Sequence, residues 1–303
     1  MTDILKIGTR GSPLALVQAN DVRDRLLSHY TGLEVEIVVI KTTGDQVQDR
    51  PLAEIGGKGL FTKEIEEALF SGDIDLAVHS MKDVETQLPD GLGISTILPR
   101  EDPRDAFISK RAASLADLPA GAVIGTSSLR RQALVRHARP DLEVVPLRGN
   151  VETRLRKLED GEIDATFLAY AGLRRLGKAD VATQLMDPAE MLPAVAQGAV
   201  GIEIRSSDLL VREYLRPLNH ADTARRVLAE RAMLAELDGS CRTPIAALAE
   251  FTGPDTLWLR GLVASQDGRT VHEVTRSAPA AEAEEMGIDA GRTLREQIGP
   301  DFF

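Results

Sequence analysis

Apolar positions along the chain alternate between two spacings. Ile7-Gly8-Thr9-Arg10 closes a short apolar run, and Ala15, Ala19, Val22 and Leu26 then recur at helical spacing behind Ser12 and Pro13. A serine whose oxygen accepts from the first free N–H groups, followed by a proline that needs no donor, marks a helix start. The four apolar residues predict one buried stripe. The same order returns later. Ile124-Gly125-Thr126-Ser127 closes a second apolar run, Leu142-Glu143-Val144 matches Leu33-Glu34-Val35, and Gly161-Glu162-Ile163-Asp164-Ala165 matches Gly72-Asp73-Ile74-Asp75-Leu76. Strand, helix, strand, helix, strand occurs twice, which predicts a duplicated α/β domain. Asn150 is placed to cap a helix with Val151, Leu155 and Leu158 on its apolar face. Such alternation predicts parallel sheets with right-handed crossovers, whose ligands sit beyond the carboxyl ends of the strands.

Two stretches read as crossings between the halves. Pro99-Arg-Glu-Asp-Pro103-Arg-Asp is charged and punctuated by prolines. Leu192-Pro193 to Gln197-Gly198 is the second, with Ala199-Val-Gly-Ile-Glu-Ile returning as a strand. Two crossings predict a hinged clamp around a cleft. From about Leu218 the pattern changes to a helix over 221–237, strands over Ile245–Phe251, Thr256–Ala264 and Thr270–Arg276, and a final helix over 279–298. Asp267-Gly268 is a hairpin turn between the last two strands. The expected domains are therefore 1–99 with 198–217, then 100–197, then a small α+β domain over 218–303 with a three-stranded antiparallel sheet.

Composition narrows the function. The 303 residues suffice for two or three cores, and 43% hydrophobic with 27% charged residues is ordinary globular composition. No apolar run approaches the roughly 18 residues of a membrane span, and the amino terminus lacks signal-peptide architecture. A lone cysteine, Cys241, permits no internal disulfide. These features predict a cytoplasmic protein. The net charge of −11 disfavours binding to nucleic acid or an anionic membrane, and no nucleic-acid module is recognisable.

Yet cationic and polar residues gather where the predicted strands end. Arg10 and Ser12 follow the first strand; Ser80, Lys82 and Asp83 follow Asp75-Leu-Ala-Val-His79. Thr126, Ser127, Arg130 and Arg131 follow Val123-Ile124-Gly125; Arg148, Gly149, Asn150 and Arg154 follow Glu143-Val-Val-Pro-Leu147; Arg175 lies beyond Ala169-Tyr170-Ala171-Gly172. Each charged hydrogen bond to a carboxylate contributes about 1.5–3 kcal/mol, and arginine can make two in parallel. Such a pocket suits a ligand with several carboxylates. Gly56-Gly57-Lys58-Gly59 lacks the spacing of a phosphate-binding loop. Asp83 is the only acid in the group, so it is the candidate for stabilising a developing cation or handling a proton. His79, within an apolar strand, reads first as a hydrogen-bonded core residue. Cys241 sits in Gly239-Ser240-Cys241-Arg242-Thr243-Pro244, where Arg242 favours a thiolate; a buried, inert cysteine is the competing reading. No Cys/His grouping supports a metal site.

Along nearly the whole chain these motifs resemble the porphobilinogen deaminases. The stretches that carry the resemblance are Ile7-Gly-Thr-Arg-Gly-Ser-Pro-Leu-Ala-Leu, Gly56-Gly-Lys-Gly-Leu-Phe-Thr-Lys-Glu-Ile-Glu, Ala77-Val-His-Ser-Met-Lys-Asp, Ile124-Gly-Thr-Ser-Ser-Leu-Arg-Arg-Gln, Leu147-Arg-Gly-Asn-Val-Glu-Thr-Arg-Leu and Gln197-Gly-Ala-Val-Gly-Ile-Glu. The resemblance implies two periplasmic-binding-protein-like domains flanking a cleft, a third small domain carrying the reactive cysteine, and a monomer. It implies a dipyrromethane cofactor joined to Cys241 by a thioether, onto which four porphobilinogens are added with release of ammonia before hydrolysis frees hydroxymethylbilane. By motif match Asp83 is the catalytic carboxylate. Ser80, Lys82, Asp83, Thr126, Ser127, Arg130, Arg131, Arg148, Gly149 and Asn150 match cofactor-holding positions. Arg10, Ser12, Arg148, Arg154, Arg175, Gln197 and Lys58 match substrate-binding ones, Lys58 within a loop over the cleft. Five positions depart from the usual motifs: Ser240, Arg242 and Thr243 around the cysteine, Glu85 after Lys-Asp-Val, and Ala196 before Gln-Gly. The duplicated domains alone fit equally a clamp that captures an organic polyanion without chemistry; a cysteine in the third domain is what that rival leaves unexplained.

Overall fold

The computed structural model describes residues 4–46, 61–239, 243–299 and 302. The chain divides into two compact units, residues 1–101 with 199–224, and residues 102–198 with 225–303. Lys58 and Cys241 lie outside the described residues.

In unit 1, β1 (Leu5–Arg10) leads into α1 (Pro13–His29) and β2 (Val35–Ile40); after a turn of helix, α2 (Thr43–Gln46), come α3 (Lys63–Ser71), β3 (Leu76–Ser80) and β4 (Leu92–Ile97). In unit 2, β5 (Asp105–Ser109) and β6 (Val123–Gly125) precede α4 (Leu129–Ala138), β7 (Glu143–Val145), α5 (Val151–Glu159), β8 (Ala165–Ala169), α6 (Tyr170–Arg175) and β9 (Gln184–Leu185). Strand β10 (Val200–Arg205) and α7 (Leu209–Leu215) belong to unit 1, as does the start of α8 (Ala221–Glu236); most of α8, then β11 (Ile245–Phe251), β12 (Thr256–Ala264), β13 (Val271–Pro279) and α9 (Ala283–Gln297) belong to unit 2.

The sheet orders are β2-β1-β3-β10-β4 and β7-β6-β8-β5-β9. They are the same arrangement twice. Strands joined by helices run parallel, as β1 does to β2 and β3, and β6 to β7 and β8. The sheets are nevertheless mixed rather than wholly parallel. In each, the fourth strand follows a crossing instead of a helix and runs antiparallel to its neighbours: β10 to β3 and β4, β5 to β8 and β9.

The repeated motif has a physical reason. Asp75 Oδ2 accepts from Lys6 N at 2.8 Å, and Asp164 Oδ2 accepts from Val123 N at 2.8 Å, so each aspartate pins the start of the neighbouring strand. The isoleucine before it packs on the strand's glycine. A Cβ on Gly8 would lie 2.2 Å from Ile74 Cδ1, and one on Gly125 would lie 2.7 Å from Ile163 Cδ1. Gly72 and Gly161, at φ 78° and 76°, turn the chain out of the preceding helix in the left-handed conformation glycine tolerates.

Each sheet is apolar on both faces. In unit 1 Ile7, Val78, Val200 and Ile202 join Ala19, Val22 and Leu26 of α1 on one side, while Ile65 and Leu69 of α3 meet Ala77 and Leu92 on the other. On α1, Gln18 is buried with that stripe, whereas Ala15 stays half-buried. In unit 2 one face carries Phe107, Ile124, Ala133 and Phe167, and the C-terminal sheet adds Ala246, Leu248, Leu262 and Ala264 to that same core. The small α+β segment thus shares its interior with the sheet of 105–185.

The β12–β13 hairpin also docks on α4. Arg136 Nη1 donates to Gln266 O at 2.8 Å, and His137 Nδ1 donates to Gly268 O at 3.0 Å. Gly268 has φ +74°, and a Cβ there would lie 2.5 Å from Ala133 O. Backbone cannot yield to that clash, and the conformation disfavours any L side chain. Gly268→Ala is expected to cost about 2–3 kcal/mol, read as a lowered melting temperature in calorimetry.

Candidate active site

At the carboxyl end of β1 and β3 the sheet of unit 1 opens into a pocket lined by Arg10, Ser12, Gln18, Phe61, His79, Ser80 and Asp83, among others. Ser12 is the N-cap of α1 and accepts from Ala15 N at 3.3 Å. Arg10 stacks its guanidinium over Phe61, 4.1 Å from the ring centroid, where the ring face favours a cation. Gln18 Nε2 donates to Ser80 Oγ at 2.9 Å, tying α1 to the end of β3.

Asp83 ends a 3₁₀ turn, Met81–Asp83, that continues β3. Two contacts set that turn. Met81 N donates to Ala199 O at 3.0 Å, and a Cβ on Gly201 would lie 2.0 Å from Met81 Sδ, so only glycine leaves room for the buried thioether. Two stretches more than a hundred residues apart, Ala77–Asp83 and Ala199–Glu203, are therefore one piece of structure. Beneath the pocket His79 Nε2 lies 2.9 Å from Glu203 Oε2, on the face covered by α3. Burial pushes the Glu66 carboxyl of α3 above its ordinary range; Thr62 opposes the shift, Glu203 adds to it, His79 opposes it and Glu85 adds.

Unit 2 gathers the second group. Ser127 Oγ donates to Leu147 O at 3.0 Å, and buried Thr126 caps the turn by accepting from Ser128 N at 3.2 Å. Asn150 Oδ1 accepts from Thr153 N at 2.9 Å as the N-cap of α5, and Arg154 Nε donates to Gly149 O at 2.8 Å. Gly149 has φ +113°, with Thr153 Cγ2 2.6 Å from where a Cβ would sit. Arg148 stands immediately before it, half-buried. Arg175 Nη2 donates to Gly198 O at 2.8 Å.

Arg130 and Arg131 are turned inward. Both are buried, 3% and 5% exposed, and both face Asp105 at the start of β5: Arg130 Nη2 to Oδ2 at 2.8 Å and Arg131 Nη2 to Oδ1 at 2.7 Å. Arg130 also donates to Leu192 O and Arg131 to Phe167 O. Gln197 Nε2 donates to the same Asp105 Oδ1 at 2.9 Å and to Pro103 O at 2.7 Å. Burial raises the Asp105 pKa, but Arg130 and Arg131, with hydrogen bonds from Arg131 and Gln197, outweigh it and hold that carboxyl far below the carboxylate range. Two donors, Arg130 Nε and Arg131 Nε, are buried without a hydrogen-bond partner. Lys82 is half-buried beside Asp83 and is not among the pocket-lining residues.

Gln18, Glu203 and Asp105 were not singled out from the sequence. Gln18 falls on the apolar stripe of α1, and Asp105 sits among the charges of a connector; only its place opposite consecutive arginines hints at a buried partner. Among the described residues no group of three or more His, Cys, Asp and Glu is arranged to hold a metal ion.

Comparison with known proteins bears on this arrangement. The model of the porphobilinogen deaminase dipyrromethane-cofactor-binding domain matches residues 5–213, and that of the porphobilinogen deaminase C-terminal domain matches residues 224–296. The chain is 56% identical to the chloroplastic porphobilinogen deaminase of Oryza sativa subsp. japonica over 99% of its own length and 86% of that protein's. It is 56% identical to the porphobilinogen deaminase of Nitrobacter hamburgensis over 100% of its length and 96% of that protein's. Among solved structures, the methionine-binding protein MetQ aligns at a TM-score of 0.47 and 18% identity, covering 76% of this chain and 97% of that one. With its two family models together spanning most of the sequence and relatives 56% identical over nearly its whole length, the chain belongs to the porphobilinogen deaminase family.

Proposed function

We propose that the pocket of unit 1 is where bonds are made and broken, with Asp83 as the catalytic carboxylate and Arg10 and Ser12 as substrate-binding groups. The enzyme is a transferase of tetrapyrrole biosynthesis: it joins four porphobilinogens head to tail with loss of ammonia and releases hydroxymethylbilane by hydrolysis. The observation that carries the site assignment is the convergence of Arg10, Ser12, Ser80 and Asp83 on one pocket, a single carboxylate among donors. When ammonia leaves the aminomethyl group, the pyrrole keeps a positive charge shared between the methylene carbon and the ring nitrogen. A carboxylate held by a fixed turn stabilises that charge without reorganising, and Arg10 balances the substrate's acetate and propionate.

Family membership implies a dipyrromethane cofactor. The residues present fit such a group: the buried, unpartnered Nε donors of Arg130 and Arg131, the Asn150-capped helix start and Arg148 are the donor chemistry a polyanion requires. On this reading Cys241 carries it through a thioether, and Ser80, Lys82, Thr126, Ser127, Arg130, Arg131, Arg148, Gly149 and Asn150 hold its carboxylates. When bound, the group supplies a nucleophilic pyrrole carbon at a fixed address. Arg154, Arg175, Gln197 and Lys58 are assigned to the substrate side. The chain is taken to act as a cytoplasmic monomer on a small molecule, with no nucleic-acid or membrane partner.

Intact-protein mass tests the attachment. The purified enzyme is expected to carry added mass equal to two pyrrole units, and Cys241→Ser is expected to lose that mass and all turnover. Retention of the mass in Cys241→Ser overturns the assignment.

A further inference from the structure

From Leu192 to Gly198 the second crossing is irregular backbone, and nearly all of it is buried. Buried backbone of this kind must still find partners for its N–H groups. Ala196 N donates to Glu230 Oε2 at 2.7 Å, and Ala249 N donates to Glu230 Oε1 at 2.8 Å. Glu230 and Ala196 are both 0% exposed. One carboxylate of α8 thus accepts from two separate stretches of chain, the crossing and the free edge of β11. Along that edge Ala247 N donates to Pro193 O at 3.1 Å, so the crossing and the Glu230 side chain cover it together. Ala196 has φ 57°, in the left-handed region that residues with a Cβ seldom adopt. An alanine there needs an outside hold, and Glu230 supplies it.

The residues just beyond that kink reach the cations of unit 2. Gln197 Nε2 donates to Asp105 Oδ1 and Pro103 O, and Asp105 pairs with Arg130 and Arg131. Gly198 O accepts from Arg175 Nη2. The direction of the chain at Ala196 therefore sets where Gln197 and Gly198 lie, and with them three arginines. At its other end α8 closes with Gly239 N on Leu234 O at 3.0 Å, two residues before Cys241. Glu230 is less than three helical turns from that point. We propose, on the reading of these arginines as ligand-holding and of Cys241 as the cofactor's attachment, that Glu230 is a positioning residue. It fixes the left-handed turn at Ala196 and so registers the helix that leads to the cysteine against the crossing that orders the cations.

Glu230→Gln in the full-length chain is the first test. Its amide keeps one acceptor oxygen, and its NH2 group must face one of the two backbone donors. Amide exchange followed by NMR should quicken about tenfold or more at Ala196 or Ala249, while Ala247 keeps its protection. The KM for porphobilinogen is expected to rise about tenfold, and the fraction of chains carrying two pyrrole units, read by intact mass, to fall. The kcat of loaded chains should change by less than about threefold, because the Asp83 turn is held by Met81, Ala199 and Gly201 instead. Ala196→Gly supplies a readout that a merely structural carboxylate would not move. Glycine takes the left-handed conformation unaided, so in the Glu230→Gln background it should return KM to within about threefold of wild type. An unchanged KM and loaded fraction in folded Glu230→Gln overturn the proposal, as does a raised KM that Ala196→Gly fails to lower. If Glu230→Gln does not fold, Glu230→Asp carries the test: its shorter carboxylate cannot span both donors, and the same rise and the same rescue are expected. Arg175→Met separates the two readings. A normal KM there refutes the assignment of the cations, whereas a raised KM there beside a normal one in Glu230→Gln refutes the role of Glu230 alone.

Discussion

Asp83→Asn is expected to lower turnover at least ~10³-fold while leaving the fold, the cofactor mass and substrate binding in place. The amide has the same shape and keeps the 3₁₀ turn, whose position is set by Met81 N on Ala199 O and by Met81 Sδ over Gly201 rather than by the carboxylate. What it loses is the negative charge facing a cation that exists only after ammonia departs. An interaction made mainly in that high-energy state lowers kcat when removed and barely changes KM. Ammonia release and tetrapyrrole formation, measured on protein whose mass shows a full cofactor, provide the check. Near-normal turnover refutes the assigned role. A raised KM with unchanged kcat makes Asp83 a binding residue only.

Much of the fold was legible because its signals are local. The left-handed Gly72 and Gly161, the packing of Ile74 on Gly8 and of Ile163 on Gly125, and the anchoring of strand starts by Asp75 and Asp164 each depend on residues close in sequence or repeated in both halves. The same holds for the caps at Ser12 and Asn150 and for the hairpin at Asp267-Gly268. Strand direction was less legible. The periodicity of Val200–Arg205 or Asp105–Ser109 marks a buried strand but carries no sign for parallel or antiparallel pairing, and both follow crossings that no helix predicts.

The site was legible as a set of positions and less so as a set of contacts. Strand ends correctly gathered Arg10, Ser12, Ser80 and Asp83, because the carboxyl edge of the sheet forces them together. The neighbours that fix them were not visible: Gln18 on Ser80, and Glu203 on His79, pair across 62 and 124 residues. Nor does sequence reveal which way an arginine faces. Arg130 and Arg131 read as ligand cations from their place after β6, yet Asp105 holds parts of both guanidiniums in the interior.

That buried cluster carries the largest expected effect on stability. Asp105→Asn leaves two guanidiniums in the interior without their protein counter-charge, the case in which breaking a buried pair costs about 3–5 kcal/mol. For a unit of this size each kcal/mol is about 2–4 °C, so calorimetry should show the melting temperature of unit 2 lowered by on the order of 10 °C. The pH dependence follows from the depressed carboxyl. A group whose folded pKa lies below its unfolded value, here 3.8, contributes its full stabilisation above that value and loses it as pH falls toward the folded one. The wild-type chain should therefore lose stability steeply below about pH 4. Asp105→Asn, with no proton to bind at that position, should start lower and decline less, so the two curves converge in acid. A difference between them that is constant from pH 7 to pH 3 would mean that Asp105 stabilises unit 2 through shape and hydrogen bonding, with its charge contributing nothing.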